Sequence, residues 1–119
     1  MTQSAPQSPR GNFIYTKFKA YDTEETVLAN YACAAKCSIL LQGMIYITNK
    51  ALYFYSPFND KTLIGYGTKI KITFAQIKDV KKESSLIIFP NCMRLLLQNG
   101  SEIVFTSFVS RDTCYRLLT

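Results

Sequence analysis

A mainly β domain, with seven antiparallel strands in a small barrel or sandwich and one C-terminal α-helix, is the fold class that this sequence predicts. Two observations predict the strands: apolar residues recur at every second position in several short stretches, and turn-forming residues separate these stretches. The third observation is one segment of helical periodicity, at the end of the chain. At 119 residues, the chain is long enough for one domain with one core.

The segment 39–56 predicts the central hairpin of the domain. Between positions 39 and 48, alternate residues place apolar side chains on one face: Ile39, Leu41, Ile45 and Ile47. A polar break at Asn49 and Lys50 predicts a tight turn, after which Leu52 and Phe54 continue the apolar face. Because a hairpin cannot bury its apolar face by itself, the rest of the chain must cover it.

The N-terminal region predicts a tail followed by a short lid. Residues 1–11, rich in Ser, Gln and Pro, predict a disordered tail, and the domain is expected to cover 12–119. Asn12 is a candidate cap for a short helical turn that packs on the strands. That turn carries three apolar side chains: Phe13, Ile14 and Phe18.

Two further strands are expected on either side of the central hairpin. The first is predicted at 27–35, where small and β-favouring residues alternate. The fourth is predicted at 68–74, because polar and apolar side chains alternate there without interruption. The side chains expected to point inward are Ile70, Ile72 and Phe74.

A short fifth strand is predicted after a polar connection. The run 76–83 carries few apolar residues and is expected to link two strands. The next residues, 84–89, form a short apolar run, which Pro90 and Asn91 are expected to end.

The strongest turn signal in the sequence lies in the segment 93–107. Asn99 and Gly100 tolerate the positive φ angles of a two-residue type I′ turn, and apolar runs flank them on both sides. The segment therefore predicts a hairpin made of the sixth and seventh strands.

The last residues predict the C-terminal helix. Ser110 is a candidate N-cap for residues 111–118, and apolar side chains recur at helical spacing. These side chains are Cys114, Leu117 and Leu118. Because the last turn lacks a stop signal, the chain is expected to be a fragment of a longer protein.

The composition argues against catalysis. The sequence contains no histidine, which excludes Ser-His and Cys-His nucleophile pairs. Its eight carboxylates are scattered over predicted turns, without a pair suited to acid and base chemistry. The segment Gly65–Gly67 lacks the third glycine of a phosphate-binding loop. We therefore expect neither an enzyme nor a cofactor.

The four cysteines are expected to be free thiols that bind no metal. Cys33 and Cys37 are close in sequence, but Cys92 and Cys114 are 22 positions apart, whereas a zinc ribbon needs two close pairs. The chain has no secretion signal, and it is large enough to form a core without disulfides.

The net charge of +6 favours an anionic partner but does not identify one. The basic residues are spread along the chain, and no apolar run is long enough to cross a membrane. Tyr46, Tyr53 and Tyr55 share the outer face of the central hairpin, as in an RNA-binding sheet. The glycine-aromatic signature of such sheets is missing, so no nucleic acid is expected.

Four stretches of the sequence carry a family resemblance: Tyr31–Ala34, Ile39–Thr48, Leu52–Ser56 and Ser107–Tyr115. In residue types and in order they resemble the GRAM domain, and most of all the GRAM domains of the Aster and yeast Lam sterol transporters of membrane contact sites. The resemblance runs from about Phe13 to the end of the chain. It implies a pleckstrin-homology-like fold, in which a C-terminal helix closes a bent seven-stranded sheet.

The resemblance also implies where a ligand would bind. In that fold the connections 1–2, 3–4 and 6–7 gather at one open end, and here these are Lys36–Ser38, Pro57–Gly67 and Gln98–Ser101. The candidate lipid-binding residues are Lys36, Lys61 and Lys69. The candidates for insertion into a membrane are Phe58, Leu63, Ile64 and Tyr66. Such an arrangement would favour an anionic membrane surface.

The leading hypothesis is a non-catalytic membrane-targeting module that recognises acidic phospholipids weakly, as part of a lipid or sterol transfer protein at membrane contact sites. We expect it at the cytoplasmic face of membranes, in a parent protein anchored in the endoplasmic reticulum, and the isolated domain is expected to be a monomer. The alternative is a protein-protein interaction module of the same fold, which binds peptides along exposed sheet edges without lipid.

Overall fold

The structure, a computed structural model, describes residues 18, 25–37, 39–58, 67–85 and 89–119, without the side chains of 83–85, 89 and 90. Within these residues, seven strands form one antiparallel sheet in the order β4-β3-β2-β1-β7-β6-β5. The bounds are β1 Val27–Lys36, β2 Leu40–Thr48, β3 Ala51–Ser56, β4 Thr68–Thr73, β5 Ile77–Ser85, β6 Phe89–Leu97 and β7 Glu102–Thr106. The helix α1, Arg111–Leu118, follows β7. This architecture confirms the predicted fold class.

The predicted N-terminal tail, 1–11, lies outside the described residues, and so do Phe13 and Ile14 of the predicted helical turn. Phe18 is described and is helical.

The central hairpin forms as the alternation predicts. Strands β2 and β3 pair from Met44 opposite Tyr55 to Ile47 opposite Leu52. The hydroxyl of Thr48 accepts hydrogen bonds from the backbone N–H of Lys50 and of Ala51, both at 3.0 Å. A single buried side chain therefore stabilises the tight turn.

The core is one cluster of buried side chains to which all seven strands and α1 contribute. Its members are Cys33, Ala35, Ile45, Ile47, Leu52, Phe54, Ile72, Val80, Met93, Leu95, Phe105, Phe108 and Cys114. The rings of Phe54 and Phe105, 5.3 Å apart, connect β3 to β7. Alternate residues of β1, β2, β3 and β6 enter this cluster, and the other face of β3 contributes Ala51 and Tyr53 to a second, smaller buried cluster.

The helix α1 lies against the core through only part of its predicted apolar face. Cys114 is fully buried, and Tyr115 and Leu118 pack against the cluster. Leu117, which belongs to the predicted apolar face, is 42% exposed. Ser110 is the N-cap residue as predicted, but its side chain makes no cap hydrogen bond.

The prediction for the fifth strand is wrong. The polar run 76–83 was expected to be a connection, but it belongs mainly to β5. Of the predicted strand 84–89, residues 84 and 85 end β5, residue 89 begins β6, and residues 86–88 lie outside the described part. Because β5 is an edge strand, only Ile77 and Val80 must be apolar to reach the core. Pro90 and Asn91 also do not end a strand, since both belong to β6.

Two local predictions are also corrected. Asn99 does not adopt a positive φ, whereas Gly100 does at 89°, and Gly100 N–H donates to Leu97 O at 3.0 Å. The turn is therefore a three-residue turn with Gly100 in the left-handed position, not a type I′ turn. Phe74 begins a short 3-10 helix, Phe74–Gln76, and is 38% exposed instead of pointing inward.

Candidate functional site

The connection between β1 and β2 forms a narrow hairpin tip at one end of the sheet. Leu40 lies opposite Lys36 in the ladder, and the N–H of Cys37 donates to Ile39 O at 3.0 Å. Lys36 and Cys37 are exposed, and Ile39 and Leu40 are 41% and 45% exposed. We refer to these four residues as the β1–β2 tip. The sequence pattern assigned Ile39 to the buried face, so this apolar surface was not predicted.

Phe58 is attached to the same end of the sheet. The hydroxyl of Ser56 donates to Gln42 O at 2.7 Å and accepts from the N–H of Phe58 at 3.1 Å. Thr68, the first residue of β4, donates to Phe58 O at 2.8 Å. The side chain of Phe58, a predicted membrane-insertion residue, is 45% exposed.

Gly67 allows the start of β4 to approach the end of β3. A Cβ atom at this position would lie 2.4 Å from Ser56 O and 3.0 Å from the Tyr55 ring. The glycine therefore has a steric role at this end of the sheet.

The two described candidate lysines lie far apart. Lys36 shares a row of the sheet with Leu40, whereas Lys69 pairs with Tyr55, which pairs with Met44. Along the sheet, their Cα atoms are thus separated by three inter-strand spacings and four residues, roughly 20 Å. Two ammonium groups on such a spacing form a broad basic surface and not a clamp on one phosphate, which needs contacts of about 2.7–2.9 Å.

The outer face around Lys69 and Lys71 is aromatic and largely covered. Tyr53 is fully buried, and its ring meets that of Phe18 edge-on at 4.9 Å. Lys71 places its ammonium 5.5 Å from the centre of the Tyr53 ring. Tyr46 and Tyr55 are half-buried. A tyrosine packed beneath Phe18 cannot stack on a base, so the geometry does not support an RNA-binding face.

Four of the predicted site residues lie outside the described part of the chain: Lys61, Leu63, Ile64 and Tyr66. The connection between β6 and β7, which was the third one predicted at the open end, is bonded to a different part of the domain. The N–H of Gln98 donates to Gln76 O at 2.9 Å, beside the end of β4 that is remote from Phe58. This turn is therefore not included in the site.

None of the four cysteines forms a disulfide, and three of them are buried. Burial raises the pKa of the Cys114 thiol to about 12. Burial and the neighbouring Cys114 also raise the pKa of the Cys33 thiol. Cys37, in the β1–β2 tip, is the exposed one. Among the side chains that the structure describes, no three potential metal ligands come together.

Similarity to a known protein family agrees with this architecture. The family model described as GRAM domain matches residues 13–119. The chain belongs to the GRAM domain family. This GRAM domain is 31% identical, over 93% of its length, to an uncharacterized membrane protein of Schizosaccharomyces pombe. It is 35% identical over 87% of its length to Protein VASCULAR ASSOCIATED DEATH 1, chloroplastic, of Arabidopsis thaliana, and 30% identical over 85% to human Protein Aster-A.

These relatives are much longer than the chain. The matched region covers 14% of the fission yeast protein, 16% of the plant protein and 13% of human Aster-A. No helix within the described residues is long and apolar enough to cross a membrane.

Solved structures agree on the fold of this GRAM domain. The C-terminal domain of an unknown protein from Leishmania infantum superposes with a TM-score of 0.73 at 27% identity, covering 93% of this chain and 94% of that one. The hSac2 domain of human phosphoinositide phosphatase Sac2 superposes with a TM-score of 0.61 at 14% identity, covering 95% and 82%. The fold is pleckstrin-homology-like, as the sequence resemblance implied.

Proposed function

We propose that this GRAM domain is a non-catalytic module that attaches reversibly to membranes containing acidic phospholipids. One observation carries the proposal: the exposed side chain of Phe58 lies at an end of the sheet that also presents Lys36 and Lys69. An apolar side chain beside basic ones suits the boundary between lipid headgroups and acyl chains.

The charge of the β1–β4 half of the sheet supports an anionic surface as the partner. Its described basic side chains are Lys36, Lys50, Lys69 and Lys71, and its described acidic side chain is Glu25. The Glu25 carboxylate accepts hydrogen bonds from the hydroxyls of Thr48 and Tyr53, so it faces the protein. Each lysine near an acidic bilayer contributes about 1 kcal/mol.

The spacing of the lysines supports recognition of surface charge over recognition of one headgroup. Lys36 and Lys69 are too far apart to hold the same phosphate, so each would meet a different lipid. Binding through separate, solvated charges is weak and is screened by salt, since the Debye length falls from about 10 Å at 0.1 M to about 3 Å at 1 M. A module of this kind would depend on other parts of its protein for lasting residence.

The relatives support a place for this module in a longer membrane-associated protein. One of them is described as a membrane protein, and another is Aster-A. This likeness supports our proposal that the domain acts at the cytoplasmic face of a membrane contact site, within a lipid or sterol transfer protein that is anchored in the endoplasmic reticulum.

The experiment is co-sedimentation of the chain with vesicles of phosphatidylcholine alone or with 30 mol% phosphatidylserine, roughly the acidic content that creates a surface potential. Lys36→Glu with Lys69→Glu should weaken binding to the acidic vesicles roughly thirtyfold or more. The matched control, Lys78→Glu with Lys81→Glu, makes the same change of charge on β5. The proposal would be contradicted if both double variants lost the same affinity for acidic vesicles, or if the unmodified chain did not bind them.

A second candidate function rests on the edge of β4. This strand pairs with β3 over six consecutive positions without a bulge, and Lys69 and Lys71 line its outer face. At the other edge, β5 has two irregularities, and Asp79 accepts the N–H of Val80 at 2.8 Å. A regular basic edge suits the addition of an acidic peptide strand. Binding of acidic peptides without any binding to acidic vesicles would favour this function.

A further inference from the structure

The β1–β2 tip extends beyond the end of β3 and beyond the last residue pair that joins β1 to β7. The last pair between β2 and β3 in this direction joins Met44 to Tyr55, and the last pair between β1 and β7 joins Ala35 to Phe105. The ladder between β1 and β2 continues to Leu40, which is four residues past Met44. The hairpin therefore projects roughly 13 Å beyond the last β2–β3 pair.

One side chain fixes this projection to the domain, whereas its end is apolar and exposed. Leu41 is 1% exposed and holds the hairpin against the protein. Ile39 and Leu40, next to it, are about as exposed as Phe58. Ile39 directly precedes β2 and Leu40 is its first residue, so two adjacent apolar side chains are exposed at the end of the hairpin. Isolated exposed apolar residues are ordinary, but adjacent ones at a projecting tip mark a contact surface.

The position of Lys36 indicates what that surface contacts. Leu40 lies directly opposite Lys36, so an apolar side chain and an ammonium group occupy the same rung of the tip. At a bilayer surface the leucine can enter the acyl region while the lysine stays among the phosphates, because a long aliphatic stem lets the charge reach the interface. Phe58 and a second lysine, Lys69, lie at the same end of the sheet. The positive charge of the two lysines makes this end complementary to an acidic bilayer.

We infer that the β1–β2 tip is a membrane-inserting hairpin, in which Ile39 and Leu40 enter the acyl region of an acidic bilayer. This inference rests on the proposed attachment to acidic membranes. It assigns the apolar contact to two residues outside the long β3–β4 connection, and it predicts the orientation of the domain, with the ends of β1 and β2 towards the lipid.

Cys37 provides a direct test, because it is exposed within the tip while Cys33, Cys92 and Cys114 are buried. Labelling the folded chain with a thiol-reactive NBD probe should therefore modify Cys37 selectively. With vesicles of 30 mol% phosphatidylserine, the expected result is a blue-shifted emission that doxyl-labelled lipids quench. Vesicles of phosphatidylcholine alone should leave the spectrum unchanged. Co-sedimentation with acidic vesicles without quenching would overturn the inference and leave the proposed function standing.

A pair of variants tests the same contact without a label. Ile39→Ser with Leu40→Ser should weaken binding to acidic vesicles roughly tenfold, with an unchanged dependence on salt, because no charge is altered. The matched control is Leu28→Ser with Leu117→Ser, at two leucines that are 52% and 42% exposed elsewhere. The control should bind within about twofold of the unmodified chain. The inference would be overturned if both variants lost affinity to a similar extent, or if Ile39→Ser with Leu40→Ser lost none. If the unmodified chain did not bind acidic vesicles at all, the proposed function would be overturned as well.

Discussion

The hydroxyl of Tyr53 donates to the carboxylate of Glu25, whose two oxygens lie 3.0 and 2.9 Å away. The hydroxyl of Thr48 donates to the same carboxylate at 2.6 Å. Tyr53 belongs to β3 and Thr48 to β2, so one side chain that precedes β1 is bonded to two neighbouring strands. With Phe18 packed on the Tyr53 ring, these contacts attach the N-terminal side of the domain to the outer face of the sheet.

Removal of the tyrosine hydroxyl should measure this attachment. Tyr53→Phe keeps the buried ring but leaves the Glu25 carboxylate with one partner fewer, so the free energy of unfolding should fall by about 1.5 kcal/mol. Urea denaturation of Tyr53→Phe, Glu25→Ala and the double variant gives their coupling energy, expected at about 1 kcal/mol. Strictly additive effects would mean that the hydrogen bond contributes nothing to stability.

Gly43 should be the least replaceable glycine in the described sheet. A Cβ atom there would lie 2.2 Å from the backbone oxygen of Tyr55 and 2.8 Å from the Phe54 ring, so β2 and β3 would have to separate. Gly43→Ala should therefore lower the free energy of unfolding by about 3 kcal/mol or more. Gly100 has a φ of 89° and open space around it, and Gly100→Ala should cost about 1–2 kcal/mol from backbone strain alone. The opposite ranking in urea denaturation would refute the steric argument.

The buried thiols should make the fold sensitive to alkali. Burial raises the pKa of Cys114 from 9.0 to about 12, and the pKa of Cys33 is raised as well. Above pH 9 the unfolded chain releases these protons while the folded chain retains them. The contribution of the protonated thiols to the free energy of unfolding is thus fully present below pH 9 and is lost as pH rises towards 12. The loss is up to about 1.4 kcal/mol per pH unit for each thiol.

Urea denaturation between pH 8 and 11 measures this slope. Cys114→Ala should make the slope shallower, although it also lowers stability at every pH through the cavity it leaves. Cys37→Ala, at the exposed cysteine, should not change the slope. An identical slope in all three proteins would show that these thiols do not control the alkaline transition.

Binding should follow the charge of the bilayer more closely than the identity of the headgroup. Because the Cα atoms of Lys36 and Lys69 are roughly 20 Å apart along the sheet, their ammonium groups do not form a clamp on a single phosphate. Vesicles matched for total charge, one set with phosphatidylserine and the other with a phosphatidylinositol monophosphate, should give dissociation constants within about threefold of each other. A preference of tenfold or more for the phosphoinositide would indicate a headgroup pocket outside the described residues.

The boundaries of β2, β3 and β4 could be predicted because buried and exposed positions alternate there. The position of β5 could not be predicted, because Lys78, Lys81 and Lys82 do not resemble a strand that is buried on one face. At the edge of a sheet, two apolar contacts are sufficient, and β5 makes them with Ile77 and Val80. Similarly, Asn99 and Gly100 identified a hairpin but not its turn type, which depends on the bond between Gly100 and Leu97.

The sequence by itself determined the fold class, because period-two patterns and turn residues are local properties of the chain, and its resemblance to known domains identified the family. Only the tertiary structure decided that Lys36 and Lys69 lie too far apart to share a phosphate and that Ile39 and Leu40 are exposed. The physical reason is that exposure and distance depend on where neighbouring strands end. Strand β3 stops short of the β1–β2 tip, so residues with the alternation of a buried strand reach the surface.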